Sequence, residues 1–303
     1  MLAAEYLAAT GRNEKALVVA QTREEVRIVN DAIRTKLREA GKLGPGRMFT
    51  TYQPVDLDQA QKRDARYYLE GYCAAFARGY GRFAKGEIWP IVGANDRGVV
   101  LERHGTRSTM SFRYADRFVV ATAKEVEIAL GDRLQLKFNG KSREGKRLNN
   151  GELVTVREVV GDGSLSVEAS DGAHKTLSPA HRLFVRGYAV TSYGSQGKTV
   201  DTVLMADAGN RATTDAHQWY VTISRGRKRV LIFTPDKEAL RLQVQQAGER
   251  DLAMDLKLER GQSVDARQTA RARHSMAAAE RMRQDAAFTR MTATQNNHQH
   301  VKL

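Results

Sequence analysis

The stretch Thr191-Ser-Tyr-Gly-Ser-Gln-Gly-Lys-Thr-Val-Asp201 decides how the fold is read, because its Gly197-Lys198-Thr199 has two incompatible meanings. A phosphate-cradling P-loop has a glycine five positions before the glycine of Gly-Lys-Thr, and its lysine and threonine open a helix. Here Ser192 holds that glycine position, and Val200-Asp-Thr-Val-Leu-Met205 reads as a strand. A second Gly-Lys-Ser, at Gly140–Ser142, fails in the same way, with Gln135 in the glycine position. The segment is therefore expected to be a loop between two strands, not an ATP cradle.

On either side of it the chain alternates strands and helices. Gly187–Ser192, Thr202–Ala206 and Arg229–Phe233 read as strands, and Thr214–Ser224 reads as a helix capped by Thr214. Near the start, Ala16–Thr22 is a short apolar run, the pattern of a buried strand. Thr22 and Glu25 have capping-box spacing, and Val26, Val29, Ile33 and Leu37 form one apolar helical face that ends near Gly41. A buried strand followed by a capped amphipathic helix is half of a parallel α/β unit.

Between these halves the grammar changes to short strands and tight turns. Glu87–Val92, Gly98–Glu102 and Arg117–Ala121 read as strands, and turns fall at Ala94–Gly98, Asn149–Gly151 and Gly161–Gly163. Asn150-Gly151 predicts a hairpin joining Arg147-Leu148 to Leu153–Val156. The segment from Asp64 to Arg82 is compatible with helix or strand. The expected organisation is an α/β lobe with residues 1–60 as its first part and residues 186–236 as its second. Residues 61–185 form an inserted all-β barrel region, and residues 237–303 a basic tail, helical at first and then disordered.

The chain has 303 residues, a net charge of +14 and a pI near 10.0, a balance that favours a polyanionic partner such as nucleic acid. The single Cys73 excludes an internal disulfide framework, and its surroundings, Tyr72-Cys-Ala-Ala-Phe76, suit a buried small hydrophobe. No apolar run approaches the ~20 residues of a membrane helix, and Met1–Tyr6 does not read as a secretory signal. A cytoplasmic location is expected. The histidines near the end, in Gln295–His300, read as tail and not as a metal site.

Thr191–Asp201 resembles motif V of superfamily 1 helicases, and Trp219-Tyr-Val-Thr-Ile-Ser-Arg-Gly-Arg227 resembles their arginine-bearing motif VI. The two occur in the family's order, and the capped helix after Thr22 matches the start of the second RecA-like lobe. Gly131–Asn139 with Asn149–Glu152 resembles the SH3-like insertion of RecD-like members. The wording of Gly187–Asp201 is most similar to the helicase part of MobF-class conjugative relaxases. The resemblance runs from about Ala16 to Asp236 and does not include the relaxase tyrosines and histidines or the Walker motifs of a first lobe.

What the resemblance implies is the C-terminal motor half of an ATP-dependent, 5′-to-3′ DNA helicase, with ATP and Mg²⁺ shared with a first lobe outside this chain. Single-stranded DNA, that first lobe and a relaxase domain would be its partners. By the same analogy Arg225 is the arginine finger and Arg227 a weaker candidate, while Gln196, Gly197 and Lys198 lie at the nucleotide cleft. Lys198 is placed to meet a phosphate of either ATP or DNA. Thr191, Ser192 and Tyr193 face the single strand, although the family often has His where Tyr193 stands. Trp219 and Tyr220 are expected to pack in the core, Asp132 and Glu152 to serve in turns, and Arg23 and Arg34 to lie near motif IV or on a solvated helix face. The competing reading is a non-catalytic single-strand-binding relic of such a helicase.

Overall fold

The computed structural model describes residues 1–207, 209 and 216–245. Helix α1 (Leu2–Gly11) leads into strand β1 (Ala16–Ala20), all five residues of which are buried. Such an uninterrupted apolar run suits a parallel strand covered on both faces. Thr22 then caps α2 (Arg23–Glu39). Its Oγ1 accepts from the Glu25 N–H at 3.1 Å, and the Glu25 carboxylate accepts from the Thr22 N–H at 3.0 Å. The predicted capping box is present, and Ile33 and Leu37 are buried on the predicted face.

The antiparallel region follows: β2 (Gly46–Pro54), β3 (Tyr72–Phe76), β4 (Ile88–Asn95), β5 (Gly98–Arg103), β6 (Thr106–Met110) and β7 (Phe118–Ala129). They form a six-stranded sheet in the order β2-β7-β3-β4-β5-β6. β2 pairs with β7 from Gly46–Ala129 to Pro54–Ala121. The inserted region thus opens before Gly46, inside the stretch 1–60 that the sequence reading gave to the lobe. Between Asp64 and Arg82 the chain makes a 3₁₀ turn at Ala65–Tyr67 and then enters β3.

A second antiparallel group contains β8 (Arg133–Leu136), β9 (Gly140–Lys141), β10 (Arg147–Leu148), β11 (Leu153–Val159), β12 (Leu165–Ala169), β13 (His174–Leu177) and β14 (Phe184–Arg186). Five of these form a sheet in the order β13-β12-β11-β8-β14, and β9 pairs with β10 alone. The hairpin predicted at Asn150-Gly151 does not form. Gly151 does turn, with φ +83°, but β10 pairs with β9 and β11 pairs with β12 and β8. The Gly151 N–H instead donates to the Leu136 carbonyl, and the Glu152 carbonyl accepts from the Leu136 N–H, docking the turn on β8. There are two cores, one around Leu134, Leu136, Val154, Val156 and Phe184 that also takes in Phe49 of β2 and Ile128 of β7, the other around Phe76, Trp89, Leu101 and Phe118.

The chain then returns to the lobe with β15 (Ala189–Thr191), the short helix α3 (Ser192–Ser195), β16 (Val200–Ala206), α4 (Ala216–Ile223), β17 (Gly226–Phe233) and α5 (Lys237–Gln245). Together with β1 these strands make a parallel sheet in the order β15-β1-β16-β17. Its two faces follow the alternation along β1. Ala16 and Val18 pack with Tyr6, Ile33 and Leu37 of the first two helices, while Leu17 and Val19 pack with Val190, Val203 and Leu153 of β11. The fold is therefore α/β with inserted antiparallel sheets, as read from the sequence. Thr214, the expected helix cap, and the tail beyond Gln245 lie outside the described residues.

Lobe and insertion are joined by a buried ionic knot. Asp132 is 0% exposed and accepts from Arg34 Nε at 2.9 Å, the Tyr188 hydroxyl at 2.6 Å and the Ala129 N–H at 2.7 Å. Arg34 is accordingly buried between lobe and insertion and not on a solvated face, and Asp132 is more than a turn residue. Burial and the adjacent Asp132 push the Tyr188 phenol far up, so it stays a donor. Beside it, Asn30 Oδ1 accepts from the Tyr188 and Ala189 N–H groups at 2.9 and 3.0 Å, tying α2 to the edge strand β15.

Candidate functional site

Register places the two motif-like segments against each other. Val200, the first residue of β16, is level with Gly226, the first of β17, and the Val200 N–H donates to the Arg225 carbonyl at 3.0 Å. The end of the Gln196–Thr199 loop and the turn that bears Arg225 therefore lie side by side at the amino-terminal edge of the parallel sheet. A second tie lies one helical turn away, where the Ser192 and Thr222 hydroxyls are 2.9 Å apart and buried.

Within Thr191–Asp201 the side chains divide by task. Thr191 Oγ1 accepts from the Gly194 N–H at 3.1 Å and so caps the short α3 turn. A Cβ at Gly194 would come within 3.2 Å of that hydroxyl, so a side chain here would press on the cap. Ser192 faces inward toward α4. Tyr193, by contrast, is 82% exposed, and it is the member of the Thr191–Tyr193 trio that offers a free face. Gln196 is exposed, and Gly197 has φ +74° with open space where a side chain would stand.

Lys198 turns back: its Nζ donates to the Gly194 carbonyl at 2.7 Å. Burial, with the nearby Arg133 cation, holds its amine below the usual lysine range. Lys198 also lines a cleft of about 420 Å³ shared with Asn149, Asn150, Ser170, Asp171 and Lys175 of the insertion. The residues after Thr199 form β16 and no helix, which agrees with the loop reading.

Helix α4 ends at Ile223, so Arg225 sits in the turn that follows it and not on the helix itself. The Arg225 N–H donates to the Thr222 carbonyl, and Nε donates to the Val221 carbonyl at 2.9 Å, holding the half-buried guanidinium against the last helical turn. Arg227 is exposed on β17. Trp219 is buried with Met205 and Leu240 as expected, whereas Tyr220 is 68% exposed and not core. Among the described residues, no three His, Cys, Asp or Glu side chains are grouped so as to hold a metal. Cys73 is buried, and burial pushes its thiol up.

Two groups near this site escaped the sequence reading. Gln135 is 5% exposed and lies under α3, its Nε2 3.7 Å from where a Gly194 Cβ would stand. Lys137 follows it on the same face, its Nζ donating to Gln135 Oε1 at 2.6 Å. The signal for them was the alternation Arg133-Leu-Gln-Leu-Lys137, whose apolar members fill the insertion core.

No family model matches the chain. Over 269 aligned residues, covering 82% of this chain, it is 27% identical to the multifunctional conjugation protein TraI of Escherichia coli. Among solved structures, Bacteroides Pif1 bound to single-stranded DNA aligns over 74% of this chain and 42% of its own, with 13% identity and a TM-score of 0.37. Pif1 helicase from Candida albicans aligns over 75% of this chain and 48% of its own, with 12% identity and a TM-score of 0.34. Among the described residues no helix is long and apolar enough to cross a membrane. The chain spans 14% of the length of TraI, and over that stretch it is distantly similar to that protein.

Proposed function

We propose that this chain is the second motor lobe of an ATP-dependent DNA helicase of the kind joined to conjugative relaxases. Such a lobe would translocate 5′ to 3′ on single-stranded DNA during plasmid transfer, with a first lobe supplying the P-loop and the Mg²⁺ ligands. The antiparallel insertion would include the SH3-like element of RecD-like members. The observation that supports the reading is the Val200–Arg225 backbone bond, which ties the strand following Gln196–Lys198 to the turn that bears Arg225.

The residues suit a nucleotide bound mainly from elsewhere. Gly197 leaves room for close approach, Gln196 is exposed, and Arg225 is oriented through Nε with no carboxylate partner among the described residues. Bound ATP would supply the phosphoryl group whose transfer drives movement. Arg225 would neutralise charge on that group, as finger arginines do in such motors. The tie between Ser192 and Thr222 would pass any movement of α4 to the turn that presents Tyr193, where an exposed ring is free to stack on a base. Thr191 and Ser192 would then act chiefly by shaping that turn.

Mixing the chain with a separately produced P-loop-bearing first lobe and measuring DNA-stimulated ATP hydrolysis tests this reading. Hydrolysis is expected only in the mixture, and Arg225→Ala should lower it by about 10³-fold or more. Restored hydrolysis that is indifferent to Arg225→Ala would remove the finger assignment. The second reading, a non-catalytic strand-binding module, is favoured by Lys198 being turned toward Gly194 and the insertion. It predicts strand binding with no hydrolysis even in the mixture.

A further inference from the structure

The polar face of β8 and the residue after it is unusual in what it gathers against the lobe. Arg133 Nη1 donates to the Ala16 carbonyl at 2.9 Å, Gln135 lies under α3, and Lys137 Nζ rests on Gln135 Oε1 at 2.6 Å. From the lobe, Lys198 Nζ reaches the carbonyl of Gly194, the residue that covers Gln135. Arg23, the first residue of α2, adds a fourth positive group; it pairs with Asp56 at 3.1 Å on the surface.

Lys137 and Lys198 have no carboxylate within ion-pair distance among the described residues; their printed partners are an amide oxygen and a backbone carbonyl. The acids that line the adjoining cleft are Glu152, already paired with Lys175, and Asp171. Burial, then the Arg23 and Lys198 cations, bring the Lys137 amine down to about 8. Half-buried cations held together without a counter-charge are costly, and an anion that enters their midst relieves both burial and repulsion.

We propose that Lys137 of the insertion and Lys198 of the lobe, aided by Arg23, form one phosphate site that grips the backbone of single-stranded DNA across the joint between the two parts. The proposal rests on the strand-binding reading above and resolves which phosphate Lys198 meets. A strand is favoured over a nucleotide because the cleft continues past Lys198 along Asn149, Asn150 and Ser170, amides and a hydroxyl suited to sugar and phosphate oxygens. The exposed Tyr193 ring stands on the same turn.

The test uses the full chain and a fluorescein-labelled 20-nucleotide oligo(dT), read by anisotropy between 50 and 200 mM salt. Lys137→Met keeps the apolar stem and is checked for an unchanged thermal melt. It should bind roughly three- to tenfold more weakly and reduce the salt slope by about 0.7, the share of one single-strand phosphate. Lys137→Arg should retain affinity. Between pH 7 and 9 the wild type should weaken as Lys137 loses its proton, and the arginine variant should weaken less. A Lys137→Met variant that binds like the wild type with the same slope overturns the proposal. Millimolar ATP that displaces the oligonucleotide from wild type but not from Lys137→Met would assign the site to a nucleotide and overturn the strand assignment. Absence of any binding by the wild type would defeat the strand-binding reading itself, and this proposal with it.

Discussion

Asp132 shows how one side chain can hold two architectures together. It sits in the turn before β8, yet its partners come from α2 and from the residue preceding β15. Removing it leaves the buried Arg34 with only its longer 3.4 Å pair to Glu127, and the Tyr188 hydroxyl without its acceptor. Asp132→Ala is expected to destabilise the protein by about 3–5 kcal/mol, read from urea unfolding; a loss under 1 kcal/mol would mean that the knot is not structural. The helical face of Val26, Val29, Ile33 and Leu37 was visible in the sequence, but the burial of Asn30 and Arg34 beside it was not, because Asp132 is 98 positions from Arg34 and only the folded joint brings them together. His181 presents a different case. Burial and the neighbouring Arg182 cation lower its imidazole to about 4, and its buried Nε2 has no partner among the described residues. The unfolded chain then binds the proton more readily between pH 6.5 and 4, so stability should fall as pH drops through that window and stop falling below it. Comparing urea midpoints at pH 7 and pH 4.5 checks this: His181→Gln should lose less than the wild type.

Strands and turns differ in how much of themselves they reveal. β1, β16 and the capped start of α2 were legible because their signals are local: an apolar run, or a cap and a carboxylate three residues apart. The Asn150-Gly151 turn was legible as a turn but misleading as a hairpin, since its backbone groups found β8 before the flanking strands found each other. β2 was missed because a strand that pairs with the distant β7 carries no mark in its own residues of which sheet it will join. The β4–β5 turn makes a sharp prediction. Gly98 has φ +145°, and a Cβ there would stand 2.1 Å from the Met110 carbonyl oxygen on β6. Gly98→Ala should therefore open the β4–β5–β6 meander and lower the melting temperature by several degrees. An unchanged melt would show that the meander can shift to make room.

At the largest scale, the parallel sheet brings its two motif-bearing segments, Thr191–Asp201 and Trp219–Arg227, together at one edge. Their chemistry was legible as residue types, and their pairing followed from the strand order. What the sequence did not disclose was the contribution of the insertion, whose β8 face brings Gln135 and Lys137 beneath the same turn. The +14 charge gives the molecule a general attraction to polyanions, which alone would produce binding without dependence on any single ring. Tyr193 separates that general attraction from a built strand site, because it is exposed and its loss leaves the charge unchanged. The decisive measurement is the affinity of the full chain for labelled oligo(dT) at 150 mM salt, with Tyr193→Ala alongside the wild type. The strand-gripping lobe predicts a loss of about 1–3 kcal/mol in binding with an unaltered thermal melt. Equal binding by the two proteins, or no binding by either, would contradict it.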